Sequence, residues 1–393
     1  KFISLYPQAP LSRKLIMSAA VLRENQGDYE KAIDYYRQMN SPLEKVALLM
    51  AKAKKWRELN QYAMKSPDSL LRNYYVGLSL QRLGELSAAA PSFNKVIKST
   101  PANENEKTMV AHSLYLLAQN SLKDFRDLQF GQGDDGAVTK QKAERLNYLN
   151  SVFNDVIKYG NGKWVIGSLY SLGVAHKEFS EFLSRAPIPA GAEPEVVAAY
   201  KQAISSQVND YKSKSNQYFR SCLDNAEKFE VFTLFVKGCQ TLGDYQVDDA
   251  KEEVIVRKPI NMLTPEIKNI RASLMDNPDQ LNLIVELGKI YIRGKNFGMA
   301  KLAMGRVLEL KPNQPEALSY LGVVEMHNLD FSTANSYFSK ALELNPKSEL
   351  SILGLTALYH KYQFKKLESK MSSRIQFNRA GYSQLHPWID EIL

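Results

Sequence analysis

The sequence predicts an all-α fold, a solenoid of antiparallel helix pairs, on three observations. First, two segments 34 residues apart match position by position: Ile284, Leu287, Gly288, Tyr291, Ala300, Met304, Val307 and Pro312 against Leu318, Leu321, Gly322, Glu325, Ala334, Phe338, Ala341 and Pro346. Second, the large residues recur at helical spacing while Gly and Ala stand where a second helix must approach closely. Third, a Pro closes each segment, because it has no N–H with which to continue a helical ladder.

One such pair cannot bury its own apolar face, so pairs must stack. The period, and the order of large, small and Pro residues, resemble the tetratricopeptide repeat family. That resemblance implies a right-handed superhelix and a protein-binding function.

Taken in order, residues 1–10 carry Pro7 and Pro10 and read as an extended lead-in. A helix is expected over Leu11–Asn25. Gly27, Tyr29, Ala32 and Tyr36 then reproduce the second half of a repeat, closed by Pro42. Residues 42–66 read as a shortened pair, with helices at Leu43–Ala53 and Trp56–Lys65, and Trp56 taking the part of Tyr29. Residues 70–101 are the clearest N-terminal repeat, marked by Gly77, Gly84, Ala89, Phe93, Val96 and Pro101. A first helix over 105–121 is followed by the Gly/Asp-rich string Phe130–Gly136, expected as a mobile surface loop over 130–138. Its partner helix is Thr139–Lys158, with Leu146, Leu149, Phe153 and Val156 on one face.

Trp164–Ser184 reads as a long helix. The string from Arg185 to Pro194 cannot be helical, and its prolines favour a stiff extended strap. A very long helix follows over 194–225, then a second over Val231–Thr241. Tyr200, Ile204, Tyr211, Tyr218, Phe219 and Leu223 form a broad stripe on the long helix, either core or an exposed docking face. Residues 244–265 read as a linker containing the extended run Val254–Val256. The expected organisation is therefore an irregular N-terminal array over 1–243, this linker, and C-terminal repeats over 266–393. Within the latter, Glu266–Met275 is an entry helix and 350–371 a degenerate capping repeat. The tail 372–393, with Tyr382, His386, Pro387 and Trp388, is expected to fold back over the last apolar face.

At 393 residues the chain exceeds a single hydrophobic core, which a repeat array does not need. No run of 18 apolar residues is present, so no transmembrane helix is expected. The chain starts at Lys1, not Met, so the numbering leaves open a removed signal peptide, lipid anchor or upstream region, and membrane association is expected only through such an anchor. The formal charge is +9, but Lys, Arg, Asp and Glu are mixed through every segment. Nucleic acid binding would need a basic stripe with interleaved aromatics, so it is not expected.

No active site is expected either. His112, His176, His327, His360 and His386 show no HExxH and no carboxylate pattern. There is no GxSxG elbow, Gly131-Gln-Gly133 lacks the strand of a dinucleotide loop, and the Gly/Asp string lacks the ligand series of a calcium loop. No cofactor or metal is expected. Cys222 and Cys239 stand on adjacent expected helices. A hairpin turning near Asn225–Glu230 brings them towards each other, although the turn is not midway. Both readings, a disulfide and two buried thiols, stay open. A disulfide would imply an oxidising compartment.

The tetratricopeptide resemblance places groove-lining residues on the first helix of each pair. They are Asn282, Val285, Lys289, Ile292 and Arg293; Glu316, Ser319, Tyr320, Val323, Met326 and His327; Leu350, Leu353, Ala357, His360 and Lys361; and, in the N-terminal array, Tyr74, Leu78, Gln81 and Arg82. They imply a peptide or helix held by apolar anchors with a basic rim. The sites of the chaperone-type carboxylate clamp hold Val285, Lys289, Tyr320, Leu350 and Gly354, of which only Lys289 is charged, so that clamp is not implied.

The central region also looks similar to bacterial envelope repeat proteins associated with gliding motility and outer-membrane machinery, on Ala186-Pro-Ile-Pro189, Tyr200, Ser221-Cys222-Leu223, Ala226, Phe232 and Cys239. The function expected is a non-catalytic scaffold or adaptor in a bacterial, periplasmic or envelope assembly. The alternatives are a cytosolic adaptor and a basic solenoid for a polyanion or polysaccharide, the latter marked by strong salt dependence.

Overall fold

The structure, a computed structural model, describes residues 10–131, 134–188, 191, 193–247 and 263–375. Among them are 18 helices and no strand. The all-α solenoid read from the sequence is the fold observed. The chain forms two compact units, one of residues 1–55 with 253–393 and the other of 56–252. This grouping differs from the expected division at 244–265, and most of that expected linker, residues 248–262, lies outside the described residues.

The first unit contains α1 (Pro10–Asn25), α2 (Tyr29–Gln38) and α3 (Leu43–Lys52), then α12 (Pro265–Asp276), α13 (Leu281–Arg293), α14 (Phe297–Leu310), α15 (Pro315–His327), α16 (Phe331–Leu344), α17 (Glu349–Lys361) and α18 (Lys365–Ser372). Each repeat pair is antiparallel and turns through a left-handed residue. Lys295, Leu329 and Gln363 have φ of 56°, 59° and 56° and stand at the 34-residue period. The N-caps follow the sequence: Asn296 and Asp330 accept from the N–H of Met299 and Thr333, which satisfies otherwise orphaned first-turn donors.

Why 10–55 joins the C-terminal repeats is visible at Gly298. α1 packs on α14, and a Cβ at Gly298 would lie 2.9 Å from the carbonyl oxygen of Asn25. Nearby, Glu24 ties the N-terminal helices together, accepting from the Tyr36 hydroxyl at 2.9 Å and pairing with Lys45 at 2.8 Å. α18 buries no residue, as a polar terminal cap should. The expected fold-back of the tail concerns residues 376–393, outside the described residues.

The second unit contains α4 (Trp56–Met64), α5 (Leu70–Arg82), α6 (Leu86–Lys98), α7 (Glu104–Asp127), α8 (Asp135–Lys158), α9 (Gly162–Ser184), α10 (Pro194–Lys228) and α11 (Leu234–Gln240). Trp56 opens α4 half-buried, as Tyr29 opens α2.

Two boundaries correct the sequence reading. α7 runs on to Asp127 because Leu122 and Phe125 continue its buried face. Its last carbonyls are met by a side chain: Lys142 Nζ donates to Phe125 O at 2.8 Å and Leu128 O at 2.7 Å. α8 begins at Asp135, since Asp134 accepts from Gly136 N as its N-cap. The loop is therefore shorter than 130–138, and its start is pinned by Phe130 stacking on Phe182 at 4.0 Å.

α9 is the centre of this unit. α8, α10, α11 and α7 all pack on it, and it is buried without a break from Ile166 to His176. Ser215 of α10 donates to Gly173 O at 2.8 Å. The stripe on the long helix is core at its end, where Phe219 is buried, and half-buried from Tyr200 to Tyr211. Tyr200 donates to Pro187 O at 3.2 Å, tying the strap to the helix that follows it. A disulfide, Cys222–Cys239, joins α10 to α11 with a Cα–Cα distance of 6.4 Å.

Candidate functional site

The first helices of successive pairs lie side by side, so residues at equivalent positions face one another across each step. In the first unit, Lys289 of α13 pairs with Glu316 of α15 at 2.6 Å and lies 5.5 Å over the Tyr320 ring. Burial, and then the Glu316 and Glu286 carboxylates, push the Tyr320 hydroxyl up to about 12, so it stays a neutral donor. Ser319 meets Ser351 of α17 at 2.8 Å, with both hydroxyls buried. His327 stacks on Phe297 at 4.2 Å, and His360 Nδ1 lies 2.8 Å from Glu368.

The expected groove residues therefore divide in two. Val285, Ile292, Ser319, Tyr320, Val323, Met326, Leu350, Leu353 and Ala357 are buried. Asn282, Arg293, Glu316, His360 and Lys361 are exposed, and Lys289 and His327 half-buried. The apolar members are packed away from solvent, and the mainly cationic ones stand at or near the surface.

In the second unit the same positions make a polar ladder. Tyr74 and His112 Nδ1 are 2.8 Å apart, and Gln81 and Asn120 exchange amide hydrogen bonds at 3.0 and 3.3 Å. Leu78 is buried and Arg82 half-buried. The ladder continues from α7 to α9 through Gln119–Ser171 at 2.6 Å and Arg126–Glu178 at 2.8 Å. His112 stacks on Trp164 at 3.9 Å. Sequence reading missed the far partners, His112, Asn120 and Ser171. The one signal was their spacing, 38 residues from Tyr74 to His112 and 39 from Gln81 to Asn120, slightly longer than the C-terminal period.

Two buried titratable groups stand apart from both ladders. Lys142 is buried, and desolvation brings its ammonium down to about 8. It lies over the Phe125 and Phe182 rings at 4.4 and 4.9 Å. His176 is buried between α8 and α10 and drops to about 4, through burial and then the Lys214 charge. Its Nε2 meets Asn150 Oδ1 at 3.0 Å. Both are fastened into packing. A shallow depression along α10, between Asn209 and Arg220, is lined by one helix alone. Among the described residues no cluster of His, Cys, Asp and Glu could hold a metal, and no helix is long and apolar enough to cross a membrane.

Stacked pairs with small-residue crossings and ladders between their first helices define an α-helical repeat protein. The tetratricopeptide repeat family profile matches residues 14–39, which are α1 and α2, and 281–314, which are α13 and α14. Over these two helix pairs the chain is similar to the tetratricopeptide repeat family. Solved structures similar to it include yeast Tom70 (12% identity, 97% of this chain and 95% of that one, TM-score 0.28). The tetratricopeptide repeat domain of P58(IPK) is another (14% identity, 97% of each, TM-score 0.24). At those scores neither adds to the repeat match. No curated protein matches the sequence. None of these comparisons bears on the envelope and gliding-motility resemblance. The repeat fold supports a protein–protein interaction scaffold.

Proposed function

We propose that this protein is a non-catalytic scaffold of a bacterial cell-envelope assembly that holds a peptide or helix of another protein along α13, α15 and α17. The groove supports the format of binding. Its rim offers Lys289, Arg293, His360 and Lys361, above Val323, Leu353 and Ala357, which are buried. Such a rim suits a segment rich in acidic residues. A rim charge of this kind tunes encounter and specificity more than affinity.

The observation that carries the compartment is the Cys222–Cys239 disulfide. Disulfides persist in oxidising compartments such as the periplasm and are rare in reducing ones. The test is a free-thiol count on protein taken from its native host under denaturing, non-reducing conditions. No free thiol is expected. Two free thiols would overturn the envelope assignment and move the search for partners to the cytosol.

A further inference from the structure

The long helix α10 uses only one of its sides within the second unit. It packs on α9 and α11 through a stripe that includes Ser215, Phe219, Cys222 and Ala226, all buried. The opposite side carries a second stripe, from Glu195 to Arg220, in alternating steps of four and three residues. That spacing holds one face of a helix. Every member of this stripe is exposed, and none of its side chains makes a hydrogen bond or ion pair with another described residue. From Ala199 to Asn216 the stripe is uncharged, although Lys201, Asp210, Lys212 and Lys214 stand beside it. Charge thus returns only at its two ends, and an uncharged centre with a charged rim is the anatomy of an interface.

Steps of four and three read the same in both directions. Turned end for end, the stripe falls on itself, each residue meeting the one equally far from the Gln207–Val208 bond. Glu195 then meets Arg220, an opposite charge, at both ends. Ala199 meets Asn216, Gln202 meets Ser213 and Ser206 meets Asn209, so every amide falls against a small residue. A parallel pairing would instead set Glu195 on Glu195 and Arg220 on Arg220. The depression between Asn209 and Arg220, lined in part by Ser213, lies opposite the long Gln202 side chain, which stands between Ala199 and Ala203. Polar side chains in such a seam fix register at some cost in stability.

We infer that a second copy of this chain docks here, α10 against α10, antiparallel about a two-fold axis. The contact is isologous and closes on itself, so it yields a dimer and no filament. The stripe spans about 39 Å, and a strip one helix wide buries on the order of 800 Å² in the pair. That is the size of a weak, exchanging contact. It involves the second unit alone and rests on nothing proposed for α13, α15 and α17.

The test is sedimentation velocity of the purified full chain, its disulfide intact, over a dilution series. The mass should rise towards that of a dimer with concentration. Glu195→Arg alone sets like charges at both ends of the pair, and so does Arg220→Glu alone. Each should lower the association constant about tenfold or more. An equal mixture of the two variants should regain it, because one copy then carries both positive ends and the other both negative ones. Circular dichroism should show native helicity throughout, since both residues are exposed. An unaltered chain that stays monomeric overturns the inference and leaves the face to solvent or to another protein's helix. So does association that neither variant weakens, or a mixture that stays as weak as its parts.

Discussion

The ring of Phe338 lies flat against Gly322: a Cβ at that glycine would come within 2.6 Å of Phe338 Cε1. The ring is fully buried and also meets Gly354. One side chain of α16 thus fixes its distance to both α15 and α17. Gly322→Ala should overpack this joint and cost about 1–3 kcal/mol. Urea unfolding should show a lower midpoint with native helicity retained. An unchanged midpoint would mean that the helices do not approach this closely.

Leu329 makes the turn from α15 to α16 at φ 59° and is partly exposed. A side chain costs about 1–2 kcal/mol in that region, and a glycine avoids the clash at some cost in chain entropy. Leu329→Gly should therefore stabilise the protein by up to about 1 kcal/mol, seen as a raised Tm. A lowered Tm would show that the Leu329 side chain does more than close a turn.

The 34-residue spacing was legible because it rests on local punctuation. Gly288 and Gly322 mark close approaches, Pro312 and Pro346 mark stops, and each acts within its own pair. The seating of α1 on α14 was not legible. It depends on Gly298 meeting the Asn25 carbonyl across more than half the chain, and nothing periodic announces such a contact. The extension of α7 was hidden for another reason. Its C-terminal carbonyls are satisfied by Lys142, a residue whose charge marks it as surface in any hydropathy reading. The groove positions were legible as positions, since Val323 and Leu353 do lie on first helices. Their burial was not, because it depends on how closely α13, α15 and α17 pack between repeats.

His176 makes the second unit acid-sensitive. It sits among Asn150, Tyr211, Tyr218 and the Lys214 ammonium, with no carboxylate among these contacts and charges. Its folded value of about 4 lies below its ordinary 6.5. The unfolded chain therefore binds the proton first, and stability is lost as pH falls from about 6.5 to about 4. The loss should approach about 3 kcal/mol. Chemical denaturation across that window should show the slope, and His176→Gln should flatten it. An equal slope in the variant would place the acid sensitivity elsewhere.

Lys301 and Glu325 pair at 2.7 Å, and the Glu325 side chain is almost wholly buried. Asn328 donates to its other oxygen at 3.1 Å. Removing the cation leaves a buried carboxylate without its countercharge. Lys301→Ala should cost about 3 kcal/mol, whereas Lys301→Ala with Glu325→Gln should recover part of it. Equal losses in the single and double variants would show that the pair is uncoupled.

The central claim is that the first-helix face of α13, α15 and α17 receives another protein. A photo-crosslinking amino acid placed in turn at Lys289, His360 and Lys340 tests it in cells of the native host. Lys289 and His360 border the groove, while Lys340 is exposed on α16, a second helix. The account predicts one and the same crosslinked partner from Lys289 and His360, and none from Lys340. Crosslinks from Lys340 alone, or equal crosslinks from all three, would contradict it.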